Sequence, residues 1–122
     1  MLRINTENLK KFVVRELKKA CPNVAYLRAT DKTPFPYVVF ELEHKKQETG
    51  YLTFIEINIF DNSKSSKAVE IIADNIEDIL DDTMFDEETF TISIDLNARN
   101  NVDESDKGIQ RRRLLFDAEY YD

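Results

Sequence analysis

One cysteine, one histidine and two glycines occur among the 122 residues, and tryptophan is absent. Cys21 by itself cannot close an intramolecular disulfide. Cys21 and His44 together fall short of the nitrogen and sulfur ligands that a zinc site of the usual type needs. Scarce glycine also leaves no Gly-rich phosphate loop, no nucleophile elbow and no dinucleotide fingerprint. With only three prolines as well, there is little room for flexible linkers. No apolar run approaches the ~20 residues that span a bilayer, and the N-terminal stretch lacks the apolar region of a signal peptide. The expectation is an intracellular protein with no membrane partner. Positive net charge is missing too, and −7 disfavours general attraction to nucleic acid.

What is present is ordinary for a globular chain: 42% hydrophobic and 34% charged residues, which describe a soluble protein with a charged surface. The length predicts a single domain over 1–122, able to bury roughly two thirds of its unfolded surface without metal or disulfide.

The chain is organised around Tyr51 to Leu80, extended in its first half and helical in its second. Ile55, Ile57 and Ile59 fall at period two, with Phe54 and Phe60 on the opposite face. A strand apolar on both faces is central, or is covered on one side and engaged by a partner on the other. After a polar turn, Val69, Ile72, Ala73, Ile76, Ile79 and Leu80 form one stripe of a helix. Upstream, Asn5 or Thr6 caps a helix whose stripe is Leu9, Phe12, Val13, Leu17 and Ala20, and Pro22 stops it. Its other side is basic, with Lys10, Lys11, Arg15, Lys18 and Lys19. A short strand is predicted from Val24 to Thr30 and a better one from Tyr37 to Glu43. "HKKQETG" then either turns the chain into the central strand, near Gly50, or in part extends the two strands into a longer arm.

Beyond the second helix, "DDTMFDEE" reads as an acidic loop and Phe90 to Asn97 as a half-buried strand. "NARNNVDESDKG" reads as a mobile connection and Ile109 to Tyr121 as the last strand. The order α-β-β-β-α-β-β predicts an α+β two-layer domain, with a mostly antiparallel sheet of about five strands and two helices on one face. The other face would leave Phe54, Phe60, Leu115 and Tyr121 partly exposed, more apolar surface than a monomer usually shows.

Candidate chemistry is thin. The acids Asp74, Glu77, Asp78, Asp81, Asp82, Asp86, Glu87 and Glu88 lack the order of a calcium loop and read as a solvated face. Asp95 with Glu41 and Glu43 has nothing to place it in one cleft as an acid–base pair. Cys21 reads as packing, and His44 has no identifiable partner in its charged turn. No enzyme, cofactor or metal is expected. Arg111, Arg112 and Arg113 follow one another in the last strand, so Arg112 points away from the other two. They are either a solubilising strand end paired with neighbouring carboxylates, or a cationic rim for the acidic helix of an identical neighbour.

Four stretches carry a family resemblance: "LKKFVVRELK", "TPFPYVVFELE", "LTFIEINIFDNSKSSKAVEIIADNIEDIL" and "DESDKGIQRRRLLFDAEY". A helix, a proline–aromatic approach to a strand, a strand ending in aromatic–Asp before a polar turn and helix, and an acidic loop with arginines before a closing strand occur in this order. Together they resemble the tail-completion, or tail-terminator, proteins of long-tailed bacteriophages. Phe60 stands where many relatives carry tryptophan.

The resemblance implies a structural virion protein that caps the head-proximal end of the tail tube and joins it to the head connector. It also implies a homo-oligomeric ring, hexameric in the particle, with the tail tube protein and head connector as partners and DNA passing through the lumen without specific binding. Localisation would be the virion, and the host cytoplasm during assembly. An acidic lumen would repel phosphate; a lumen lined by Lys10, Lys11 and Lys18 would contradict it. The expected interface residues are Tyr37, Phe54, Phe60, Asp61, Asp78, Asp81, Asp82, Arg111, Arg112 and Arg113. Tyr37, Phe54 and Phe60 would supply apolar area, and the arginines against second-helix carboxylates would set orientation. Reversing the charge of Arg112 and Arg113 together is expected to impair the ring without unfolding the monomer. The competing readings are a head-completion neck adaptor and a non-viral α+β protein-interaction module.

Overall fold

In a computed structural model that describes residues 4–102 and 108–121, the chain forms two helices and six strands. These are α1 (Thr6–Leu17), β1 (Val24–Tyr26), β2 (Tyr37–Lys46), β3 (Tyr51–Asp61), α2 (Lys67–Leu80), β4 (Thr83–Asp86), β5 (Thr91–Asn101) and β6 (Gln110–Tyr121). The strands make one sheet in the order β1-β2-β3-β6-β5-β4, antiparallel throughout except for β1 against β2. The architecture is α+β, as the hydrophobic patterning predicts.

Strand alternation decides which face is covered. Val38 and Phe40 of β2, Ile55, Ile57 and Ile59 of β3, Leu114, Phe116 and Tyr120 of β6, and Ile92 and Ile94 of β5 all lie on one face. Each is at most 1% exposed. Leu9, Phe12, Val13 and Leu17 of α1, with Val69, Ile72, Ala73, Ile76 and Leu80 of α2, complete the same core. Each large aliphatic side chain so buried contributes about 1.5–3 kcal/mol before entropy is counted. The Asn5 carboxamide accepts the Asn8 N–H at 3.0 Å and caps α1, while the Asn5 N–H donates to the Tyr120 hydroxyl at 3.2 Å. The cap therefore also ties the helix start to the sheet.

Four local expectations need correction. The first strand stops at Tyr26 because Leu27 turns left-handed (φ 71°) and its N–H reaches the Phe40 carbonyl, so Arg28 never joins the sheet. The "DDTMFDEE" segment is not only a loop: Thr83–Asp86 is the edge strand β4, with Phe85 turned inward 4.9 Å from the Phe12 ring. His44 sits within β2 rather than in a turn, its Nδ1 3.1 Å from Thr53 Oγ1. The turn itself is Gln47–Gly50, where a Cβ on Gly50 (φ 78°) would meet the Tyr120 carbonyl oxygen at 2.3 Å. Finally, Asn97–Asn101, expected in a mobile connection, belongs to β5. Residues 103–107 of that connection lie outside the described residues.

Candidate functional site

The sheet face turned away from the helices carries no second layer among the described residues. Register places its side chains in rows across β2, β3 and β6: Tyr37, Phe60 and Arg111; then Val39, Asn58 and Arg113; then Glu41, Glu56 and Leu115; then Glu43, Phe54 and Asp117. One end of this outer face is aromatic and basic, and the other is acidic around an apolar centre.

The basic end is linked by ring and hydrogen-bond contacts. Tyr37 and Phe60 stack with ring centroids 5.1 Å apart, and Phe35 lies 5.0 Å from Tyr37. The Arg111 guanidinium stands 5.2 Å over the Phe60 ring and donates through Nε to Asn58 Oδ1 at 3.0 Å. Asn58 in turn donates to Glu56 at 3.0 Å, so hydrogen bonds run across three rows from arginine to carboxylate. Arg113 shares this face, and its Nε is buried without a hydrogen-bond partner among the described residues. A depression of about 310 Å³ opens here, between these side chains and the Leu27–Ala29 segment. At the acidic end a second hollow of about 200 Å³ is lined by Glu41, Glu43, Phe54, Glu56, Leu115 and Asp117.

The structure separates the expected interface residues into two groups. Tyr37, Phe54, Phe60, Arg111 and Arg113 share the outer face. Arg112 does not: it points inward, is 8% exposed, and its Nε lies 2.6 Å from Glu70 of its own α2. Charge reversal there would set a carboxylate against Glu70 and destabilise the monomer, so the Arg112–Arg113 double reversal does not isolate assembly. Asp61 is buried at the end of β3. Asp81 Oδ1 accepts the Leu96 N–H at 2.7 Å, where β5 shifts register between Leu96 and Ala98. Only Asp78 and Asp82 of the expected acids project as exposed groups.

The residue that sequence reasoning missed is Arg99. It reaches from β5 to α2, with contacts of 2.8 Å to Asp74, 3.0 Å to Glu77 and 3.6 Å to Glu70. Burial alone would lower the pKa of its guanidinium, but the two hydrogen-bonded carboxylates, Asp74 and Glu77, outweigh that and raise it. Arg99 and Arg112 thus neutralise much of the acidic α2 within the chain. The signal was weak, because Arg99 lies in a polar stretch beyond a bulge that breaks the alternation.

Cys21 and His44, singled out in the sequence, are not brought to each other among the described residues. His44 has its pKa lowered by burial alone, and no carboxylate orients it among the described residues. Burial raises the Cys21 thiol, an effect only partly offset by the Asn23 backbone, which disfavours the thiolate a nucleophile needs. No group of three His, Cys, Asp or Glu side chains that could hold a metal occurs among the described residues. What the outer face offers is contact area with charge at both ends.

No family model and no curated protein matches the chain. Solved structures do match by fold. A chain from the virion of a native gene transfer agent particle superposes with a TM-score of 0.64 at 14% identity, over 85% of this chain and 83% of its own. A second structure, with no functional description, superposes with a TM-score of 0.65 at 10% identity, over 98% of this chain and 99% of its own. At such identities the likeness is one of fold.

Proposed function

We propose that this protein is a structural subunit of a phage-type particle, acting at the head-proximal end of the tail as a ring that caps the tube and joins it to the head connector. The observation that carries the reading is the fold likeness, over 85% of the chain, to a chain of a gene transfer agent virion, found for a sequence whose four segments resemble tail-terminator proteins. The open outer face supports it physically, because a sheet with exposed Phe54 and Tyr121 and half-buried Tyr37, Phe60 and Leu115 gains stability when a partner removes that area from water.

The protein works by binding without turnover. Apolar contact supplies the driving force, while the arginine end and the acidic end of each subunit fix orientation and speed encounter. Self, the tail tube protein and the head connector are its partners, and DNA passes through the ring unbound. The net charge of −7 suits that passage, since an acidic lumen does not hold the phosphate backbone.

The test is electron microscopy of particles made with the gene deleted. Full heads beside unattached tails are the expected result; uncontrolled tail length would mark a terminator, and normal length a neck adaptor. Normal infectious particles would overturn the assignment.

A further inference from the structure

Among the described residues the sheet has two unpaired edges, because β1 pairs only with β2 and β4 only with β5. These edges carry the two most exposed large apolar side chains among the described residues, Met84 at 68% and Leu27 at 54%. Burying each against water instead of leaving it exposed would be favourable, and nothing within the described residues does so.

The β4 edge is acidic, while the other edge presents Arg28 on a depression lined by two arginines and two glutamates. On β4, Met84 and Asp86 point to the outer face, with Asp82 just before and Glu88 just after, all exposed. Asp86 accepts only the Thr91 hydroxyl at 2.6 Å, and neither Asp82 nor Glu88 makes an ion pair among the described residues. At the other edge, Leu27 and the exposed Arg28 rim the depression of about 310 Å³ that is floored by Tyr37 and Phe60 and flanked by Arg111. Arg28 makes no ion pair among the described residues. Glu41 and Glu56 line it as well, so an acidic segment is favoured only where it meets Arg28.

We propose that the β4 edge of one copy seats in the β1-side depression of the next, with Met84 inserted over the Tyr37–Phe60 stack and Asp86 facing Arg28. A methionine suits this place, since its flexible thioether fills an irregular hollow and packs well against aromatic rings. The short, charged edges that protect the sheet from open-ended pairing still permit a contact of three or four residues. The contact is heterologous, because β1 and β4 lie at opposite edges and each bound copy leaves one of either kind free; such contacts close into rings when the rotation allows. This inference rests on the ring reading above and names the surfaces that build it.

The experiment uses the full chain with single cysteines at Leu27→Cys or Met84→Cys and a short bis-maleimide. Cys21, 1% exposed, stays in place, and the parent protein is the control. An equimolar mixture of the two variants is expected to give a cross-linked dimer that neither gives alone, and the double variant a ladder ending in a closed species. Arg28→Glu is expected to lower the yield about ten-fold or more, and Asp86→Arg in the partner variant to restore it. Cross-linking of M84C with itself as efficiently as with L27C would mean a two-fold β4 contact and overturn the proposal. So would no cross-link at the highest soluble concentration. If the cross-link is absent while the gene deletion still leaves heads and tails unjoined, this contact falls and the assembly role stands. If the cross-link forms while deletion leaves normal particles, the contact stands and the virion role falls.

Discussion

The two faces of the sheet are built from the same strands yet end in different states. On β3, Ile55, Ile57 and Ile59 lie at most 1% exposed beneath two helices, whereas Phe54, one pleat away, is 36% exposed. Both faces carry bulky apolar groups, so side-chain type does not separate them; the presence of a covering layer does. The arginines of β6 repeat the contrast. Arg112, on the covered face, is held by Glu70, while Arg113, on the open face, keeps a buried Nε without a partner among the described residues. A desolvated group without a partner is costly, so the open face keeps polar and apolar groups unsatisfied where the covered face has satisfied them.

The largest effect that would break this comparison concerns apolar truncation. Ile57→Ala is expected to cost about 2–5 kcal/mol in urea unfolding, because a fully buried side chain leaves a cavity. Phe54→Ser on the same strand is expected to cost distinctly less, about 1 kcal/mol. Equal losses would mean that the outer face is already covered in the isolated chain. Next comes the arginine pair. Arg112→Ala is expected to cost about 1–3 kcal/mol by removing the charge-assisted hydrogen bond to Glu70 and opening the seam between β6 and α2. Arg113→Ala is expected to leave the unfolding midpoint nearly unchanged while weakening self-association in sedimentation.

The smallest effect is a pH dependence on the covered side. Burial alone would raise the Glu16 carboxyl, but its hydrogen bonds and ion pairs with Lys19 and Arg15, at 2.8 and 3.1 Å, hold its pKa below the ordinary 4.5. A depressed carboxyl adds stability above its unfolded pKa, and that stability is lost as pH falls through the folded value. Glu16→Gln is thus expected to flatten the acid limb of the stability curve below about pH 4.5, read by thermal melts from neutral to acid pH. An unchanged limb would remove Glu16 from the acid response.

Much of the fold was legible in the sequence where period and burial coincide. The α1 stripe, the α2 stripe and the alternation in β2, β3, β5 and β6 all follow from apolar residues at three-and-four or two-residue spacing. β4 was missed because Thr83 and Phe85 make only one inward pair within a strongly acidic run. The β1 boundary was missed because Leu27 adopts a left-handed backbone, which no local propensity favours for leucine. Of the candidate surface, Tyr37, Phe54, Phe60 and Arg111 were legible, since aromatic and charged residues opposite an apolar stripe must face outward. The depression behind Leu27 and the bond from Arg99 to α2 were not, because each joins segments far apart along the chain.

The sequence by itself determined the α+β class, the amphipathic elements and the opposite facing of Arg112 relative to its neighbours, since helical and strand periods are local properties of the chain. Only the tertiary structure decided which face the helices cover, which carboxylates the arginines neutralise, and which two edges stay open. Those outcomes depend on strand order and on register between distant segments, where a shift of one residue exchanges every inward side chain for an outward one.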